Sequence, residues 1–144
     1  AATDGGGGGT TVGAARITNF RSGADKVIIS GALLAAVKRD GNIIINSQDQ
    51  NGVGNGDSIV VLNTALIGTV DKDSGFKQFI TALGTLTSGS TASSLLVVAH
   101  DEISSGLYLI TEGATTKVSA PQVRLLAYFE EAILTTGDIT GRDS

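Results

Sequence analysis

The sequence predicts a mainly β domain, an antiparallel β-sandwich or β-roll-like fold of about seven strands with one packed helix. Three observations carry this. Short apolar runs recur between turn residues, at 27–29, 43–45, 58–63, 95–99, 107–111 and 122–129. Such runs, rich in Val, Ile and Leu and bounded by turn chemistry, read as strands. Twenty glycines and a single proline, Pro121, punctuate the chain, and glycine supplies the backbone freedom that sharp turns need. Helical spacing is clear only at about residues 73–84, where Phe76, Phe79, Ile80 and Leu83 share one face. No alternating βαβ series and no internal repeat is read.

Two regions are expected: a Gly-rich arm or linker over residues 1–14 and a single β-rich domain over 15–144. The arm holds five consecutive glycines, Gly5 through Gly9. It is a linker, or a segment that orders against a neighbouring subunit, with Thr10, Thr11 and Val12 continuing as an added strand. A phosphate-binding loop is excluded, because no strand precedes it and no Lys-Ser/Thr follows.

The domain opens as strand, turn (Arg21-Ser22-Gly23-Ala24) and strand at 27–29. Residues 31–37 read as a short apolar turn or a single helical turn. Asp40-Gly41 then reverses the chain into the run Ile43-Ile44-Ile45, expected to neighbour 27–30. After a polar loop at 47–57 comes the strand at 58–63. Asp73 or Ser74 caps the helix and Gly84 ends it. The runs 95–99 and 107–111 form the clearest antiparallel hairpin. In the last long strand Val123, Leu125, Ala127 and Phe129 fall on one face at period two, and Arg124, Leu126 and Tyr128 on the other. That second face is only partly polar, so a helix or another subunit is expected to cover it.

Composition excludes several functions. A hydrophobic share of 41% is too high for a disordered chain. Net charge is −4 and the ten basic residues are scattered, which argues against nucleic acid. The absence of Cys excludes disulfides, zinc-thiolate sites and thiol catalysis. No apolar run of about 18 residues is present, so no membrane span is expected. The chain starts at Ala1, without an initiator Met or signal peptide, as in a processed form or a fragment of something longer.

Catalysis finds little support. His100 is the single His, beside Asp101 and Glu102, and reads as a polar hairpin end. Glu130 and Glu131 are adjacent in sequence, so on a strand they point to opposite faces. No G-x-S-x-G elbow occurs. The protein is therefore expected not to be an enzyme. In the polar loop, Asp49, Asn51, Asn55 and Asp57 offer the oxygen ligands that calcium takes. Their spacing is not that of an EF-hand, and turn chemistry explains the same residues.

The run Ile17-Thr18-Asn19-Phe20-Arg21-Ser22-Gly23-Ala24-Asp25-Lys26-Val27 fits the pattern I-x-[D/N]-F-x-x-G-x-D-K-[I/V]. It resembles the segment that follows the glycine-rich calcium repeats of bacterial RTX-type proteins exported by type I secretion. Residues 94–113, with SLLVVAHD and GLYLITEG, are similar to a hairpin near the C-terminal end of such proteins. Leu134-Thr135-Thr136-Gly137-Asp138-Ile139 resembles their L-x-x-x-D-[FI] ending. The resemblance spans roughly residues 15–140. It implies secretion without disulfides, calcium-assisted folding outside the cell, and a place in surface layers, filaments, adhesins or secreted enzymes. It also implies Asp25 as a calcium ligand, with Asn19 where the family usually has Asp. The alternative for Asp25 is a turn residue that accepts a backbone N–H.

The leading expectation is a secreted bacterial surface protein that assembles with other copies of itself, by strand addition and with calcium, into a filament or lattice. Gly5, Gly9, Thr11, Val12, Leu126 and Tyr128 are the expected assembly residues. A cell-surface polysaccharide is a further expected partner. The alternative is a calcium-dependent secretion or binding module cut from a larger secreted enzyme or adhesin. Both place the protein outside the cell or on its surface.

Overall fold

The computed structural model describes residues 15–38, 41–50, 54–55, 58–66, 70, 77–84, 87–89, 94–111 and 123–141. The elements follow in the order β1 (Ala15–Ile17), β2 (Val27–Ile29), α1 (Gly31–Val37), β3 (Ile45–Gln48), β4 (Gly54–Asn55), β5 (Ile59–Leu62), α2 (Lys77–Leu83), β6 (Thr87–Gly89), β7 (Leu95–His100), β8 (Ser105–Ile110), β9 (Val123–Phe129) and β10 (Ile139–Gly141). The protein is mainly β, built on a mixed sheet of six strands in the order β1-β9-β8-β7-β5-β3. Two short ladders accompany it, β10 with β2 and β4 with β6.

The expected hairpin is present and tight. Leu95 faces Ile110 and His100 faces Ser105, so residues 101–104 close the turn. Antiparallel pairing stops at β7, β8 and β9. The pairs β1 with β9, β3 with β5 and β5 with β7 are parallel, which corrects the antiparallel expectation. The cause lies in the connections. Between β5 and β7 the chain passes through α2, and a crossover of that length returns a strand in the same direction. A βαβ unit is therefore present where none was read. Nor does β2 neighbour β3, as expected for residues 27–30. Val27, Ile28 and Ile29 pair with Ile139, Thr140 and Gly141 from the far end of the chain.

The inner strands β5, β7, β8 and β9 are buried on both faces, which is why they read as mostly apolar runs. On one face Val60, Leu62, Leu95, Val97, Tyr108 and Ile110 cluster with Phe79, Ala82 and Leu83 of α2. Phe79 stacks on Tyr108 with ring centroids 3.8 Å apart. Opposite, Ile59, Val61, Leu96, Val98, Leu107 and Leu109 cluster with Leu34 and Val37 of α1 and with Val27, Ile29 and Ile139 of the β2–β10 ladder. Among the described residues the sheet is thus flanked by a helix on one side and by a helix with a two-stranded ladder on the other. Among the described residues no second large sheet faces it as a sandwich would require.

Both helices are short and held by tertiary contacts, since seven residues are too few for an independent helix. The segment read as a single turn is the helix α1. Gly84 follows α2 with φ of 64°, the left-handed conformation that ends a helix.

Strand β9 departs from strict alternation. Leu107 faces Ala127 while Tyr108 faces Leu125, leaving Leu126 as an extra residue. This β-bulge shifts the phase of the strand by one. Val123, Leu125 and Tyr128 then join the α2 face, and Leu126, Ala127 and Phe129 the other. The faces expected from period two therefore hold through Leu126 and are wrong from Ala127 onward. Leu126 and Tyr128 are 2% and 8% exposed, covered by the chain itself. The exposed assembly surface expected of them is absent. Arg16 from β1 lies 4.8 Å over the Tyr128 ring and pairs with Glu130.

Candidate functional site

Strands β1, β3, β5, β7 and β9 all run in one direction, and β8 alone opposes them. Their carboxyl ends therefore share one edge of the sheet. In sheets of this kind ligands bind in crevices outside the carboxyl ends of the strands. Two cavities open there. The larger, about 710 Å³, is lined by residues after β1 (Phe20, Arg21, Ser22), by the β7–β8 turn (Glu102, Ile103) and by the segment after β9 (Glu131, Ala132, Ile133). The smaller, about 310 Å³, includes Ser47, Asn63, His100, Thr135 and Thr136. Ile133 lines both.

Two buried serines position the wall between them. Ser105 Oγ donates to the Ala132 carbonyl at 2.7 Å and accepts from the Leu134 N–H at 3.0 Å. Ser104 Oγ accepts from the Glu131 N–H at 3.0 Å. Their composition alone suggests ordinary loop serines; the signal that distinguishes them is burial between apolar strands, which only the fold supplies.

Asp101 shapes the β7–β8 turn. Its Oδ1 accepts from the N–H groups of Ile103 and Ser104 at 3.0 and 2.8 Å, and its Oδ2 from that of Val70 at 2.9 Å. Burial pushes its carboxyl up, but these donors outweigh burial and hold it below the ordinary aspartate value. Such a group stays ionised and is no proton donor near neutrality. His100 Nδ1 accepts from the Glu102 N–H at 3.2 Å. The hairpin end is thus tied into its own backbone, as the polar-turn reading expects.

Glu102 and Glu131 have positive φ, 76° and 56°. A non-glycine residue held there costs about 1–3 kcal/mol. Glu102→Gly is expected to raise stability by about 1 kcal/mol, seen as a higher urea midpoint at unchanged slope. A lower midpoint would mean that the Glu102 side chain itself supports the turn.

A second construction joins the ends of the domain. Asp138, 1% exposed, accepts from Ser22 Oγ at 2.6 Å, the Gly23 N–H at 2.7 Å, the Thr135 N–H at 2.9 Å and Thr135 Oγ1 at 3.2 Å. Lys26 Nζ donates to the Gly137 carbonyl beside it. Burial raises the Asp138 carboxyl, yet the donors from Ser22, Gly23 and Thr135 bring it below its ordinary value.

Compared with protein-family models, curated proteins and solved structures, the chain matches none.

Among the described residues, Asn19, Asp25 and Asp49 are not brought together by hydrogen bonds to one another. Asp25 Oδ2 accepts from the Arg21 N–H at 2.8 Å, which is the turn role. Asn19 is exposed. Asp49 is exposed and its Oδ1 accepts from Asn63 Nδ2 at 3.0 Å. Asp57, and the arm residues Gly5, Gly9, Thr11 and Val12, lie outside the described residues. Among the described residues no group of three or more His, Cys, Asp or Glu is placed to hold a metal. Among them also, no helix is long and apolar enough to cross a membrane.

Proposed function

We propose that the chain is a secreted, non-catalytic β module of a larger extracellular bacterial protein, of the kind exported by type I secretion. One observation carries this reading. Two of the three segments on which the RTX resemblance rests, residues 17–27 and 134–139, are far apart in sequence and meet in space. Asp138 of the second accepts from Ser22 and Gly23 of the first, and β10 pairs with β2 directly behind them. Two motifs that form one unit are better explained as parts of one module than as chance matches. The oxygens of Asp138 and the Oδ2 of Asp25 are engaged by protein donors, so this reading places no calcium on them.

Fusing the chain behind a reporter in a bacterium that carries a type I exporter tests the proposal. The reporter is expected in the medium when the exporter is present and inside the cells when it is absent. Retention in both cases would overturn it.

Self-association is a second reading, favoured by the position of β1. It is an edge strand of the six-stranded sheet, and the Gly-rich arm runs directly into it. An open edge accepts a strand from a neighbour. The burial of Leu126 and Tyr128 removes the other support for a lattice, so this reading ranks second. Sedimentation of the chain with and without residues 1–14 separates the two. Assembly lost with the arm favours strand addition, and monomers in both cases favour the module.

A further inference from the structure

Four uncommon features coincide at the larger crevice. Ile103 and Ile133, 63% and 38% exposed, are the exposed large hydrophobics among the described residues. Glu102 and Glu131 are the non-glycine residues with positive φ among them. All four line the same crevice. A scattered exposed isoleucine needs no explanation, and a single left-handed residue is a turn detail. Two of each at one place are a built surface. The left-handed backbone sets a glutamate next to an isoleucine at 102–103, and Glu131 stands two residues before Ile133 in the other wall.

Charge selects the occupant. Among the described residues neither carboxylate has an ion-pair partner. Arg21 also lines the crevice, so two glutamates against one arginine leave the lining net negative. A negative lining disfavours an anionic lipid surface or a phosphate ligand. It suits an apolar side chain carried beside a cation. The smaller cavity adjoins the crevice across Ile133, and its polar wall includes Ser47, Asn63 and His100. Two adjoining openings, one acidic with exposed isoleucines and one with a polar wall, fit successive residues of an extended chain.

We propose that this crevice docks an extended segment of another polypeptide that carries an apolar residue flanked by lysine or arginine. The apolar side chain seats on Ile103 and Ile133, and the cation lies against Glu102 and Glu131. Arg21 sets the direction by meeting a carbonyl or carboxylate of the segment.

The test is an amide chemical-shift titration of the full chain with three blocked peptides, GKIKG, GEIEG and GKSKG. GKIKG is expected to move the amides of residues 102–103 and 131–133 saturably. GEIEG and GKSKG are expected to bind at least about tenfold more weakly, the effect of reversing both charges or of losing the apolar anchor. Ile103→Ser and the double change Glu102→Gln with Glu131→Gln are both at exposed positions, and each is expected to lower GKIKG affinity by a similar factor. Unperturbed amides elsewhere in each variant show that the fold is kept. No saturable shift with GKIKG, an equal response to GEIEG, or full affinity in both variants would overturn the proposal.

Discussion

Asp138→Ala is expected to destabilise the fold by about 3 kcal/mol, because removing a buried charged acceptor leaves its donors without a partner. The residue is almost fully buried and takes hydrogen bonds from Ser22, Gly23 and twice from Thr135. Alanine leaves the Gly23 and Thr135 N–H groups and the Ser22 hydroxyl facing a small void. Asparagine is no rescue, since its amide NH₂ would face donors where the carboxylate offers acceptors on both oxygens. Asp138→Asn is therefore expected to cost about 2 kcal/mol despite its near-identical shape.

The same residue sets a pH signature. Its folded carboxyl lies below the ordinary value of 3.8, the donors outweighing burial. A carboxyl lowered by folding contributes stability that is full above its unfolded value. That contribution is lost as pH falls through the folded value. Urea midpoints of the native chain are thus expected to hold from neutrality to about pH 4–5 and to fall below that. Asp101, lowered in the same way, adds to the fall. In Asp138→Asn the fall is shallower, because one of the two groups no longer titrates. A variant as steep as the native chain would show that folding does not lower the Asp138 carboxyl.

Phe79→Ala is expected to cost about 4 kcal/mol, within the range for truncating a buried aromatic. Phe79 is fully buried and stacks on Tyr108, and it anchors α2 over the sheet. The void would lie between that helix and β8, in a layer whose neighbours are themselves fully buried. Phe79→Leu keeps most of the volume and is expected to cost about half as much. Denaturant unfolding monitored by circular dichroism measures both. A loss near 1 kcal/mol for alanine would mean that the helix layer collapses onto the space.

Much of the strand content is legible from local residues. Residues 95–99, 107–111 and 122–129 carry their own signal in β-branched and apolar runs between turns, and the helix around Phe79 carries its own in spacing. The tight β7–β8 turn is also foreshadowed by its polar residues. Strand direction is not legible, because the parallel return of β7 beside β5 depends on where a crossover of more than thirty residues docks. The faces of β9 beyond Leu126 are not legible either, because this one bulged residue reverses the alternation after it. The crevice was invisible, since its walls come from turns after three different strands.

By itself the sequence determined the strands β1, β2, β5, β7, β8 and β9, the helix around Phe79, the lack of thiol chemistry and the two motifs at 17–27 and 134–139. These follow from side-chain type and short-range spacing, which act within a few residues. Only the tertiary structure decided that the two motifs touch, that β9 is covered by its own chain, and that Ile103, Ile133, Glu102 and Glu131 share one edge. Those outcomes depend on contacts between residues distant along the chain. Such contacts are chosen by the packing of whole elements, and no local stretch encodes them.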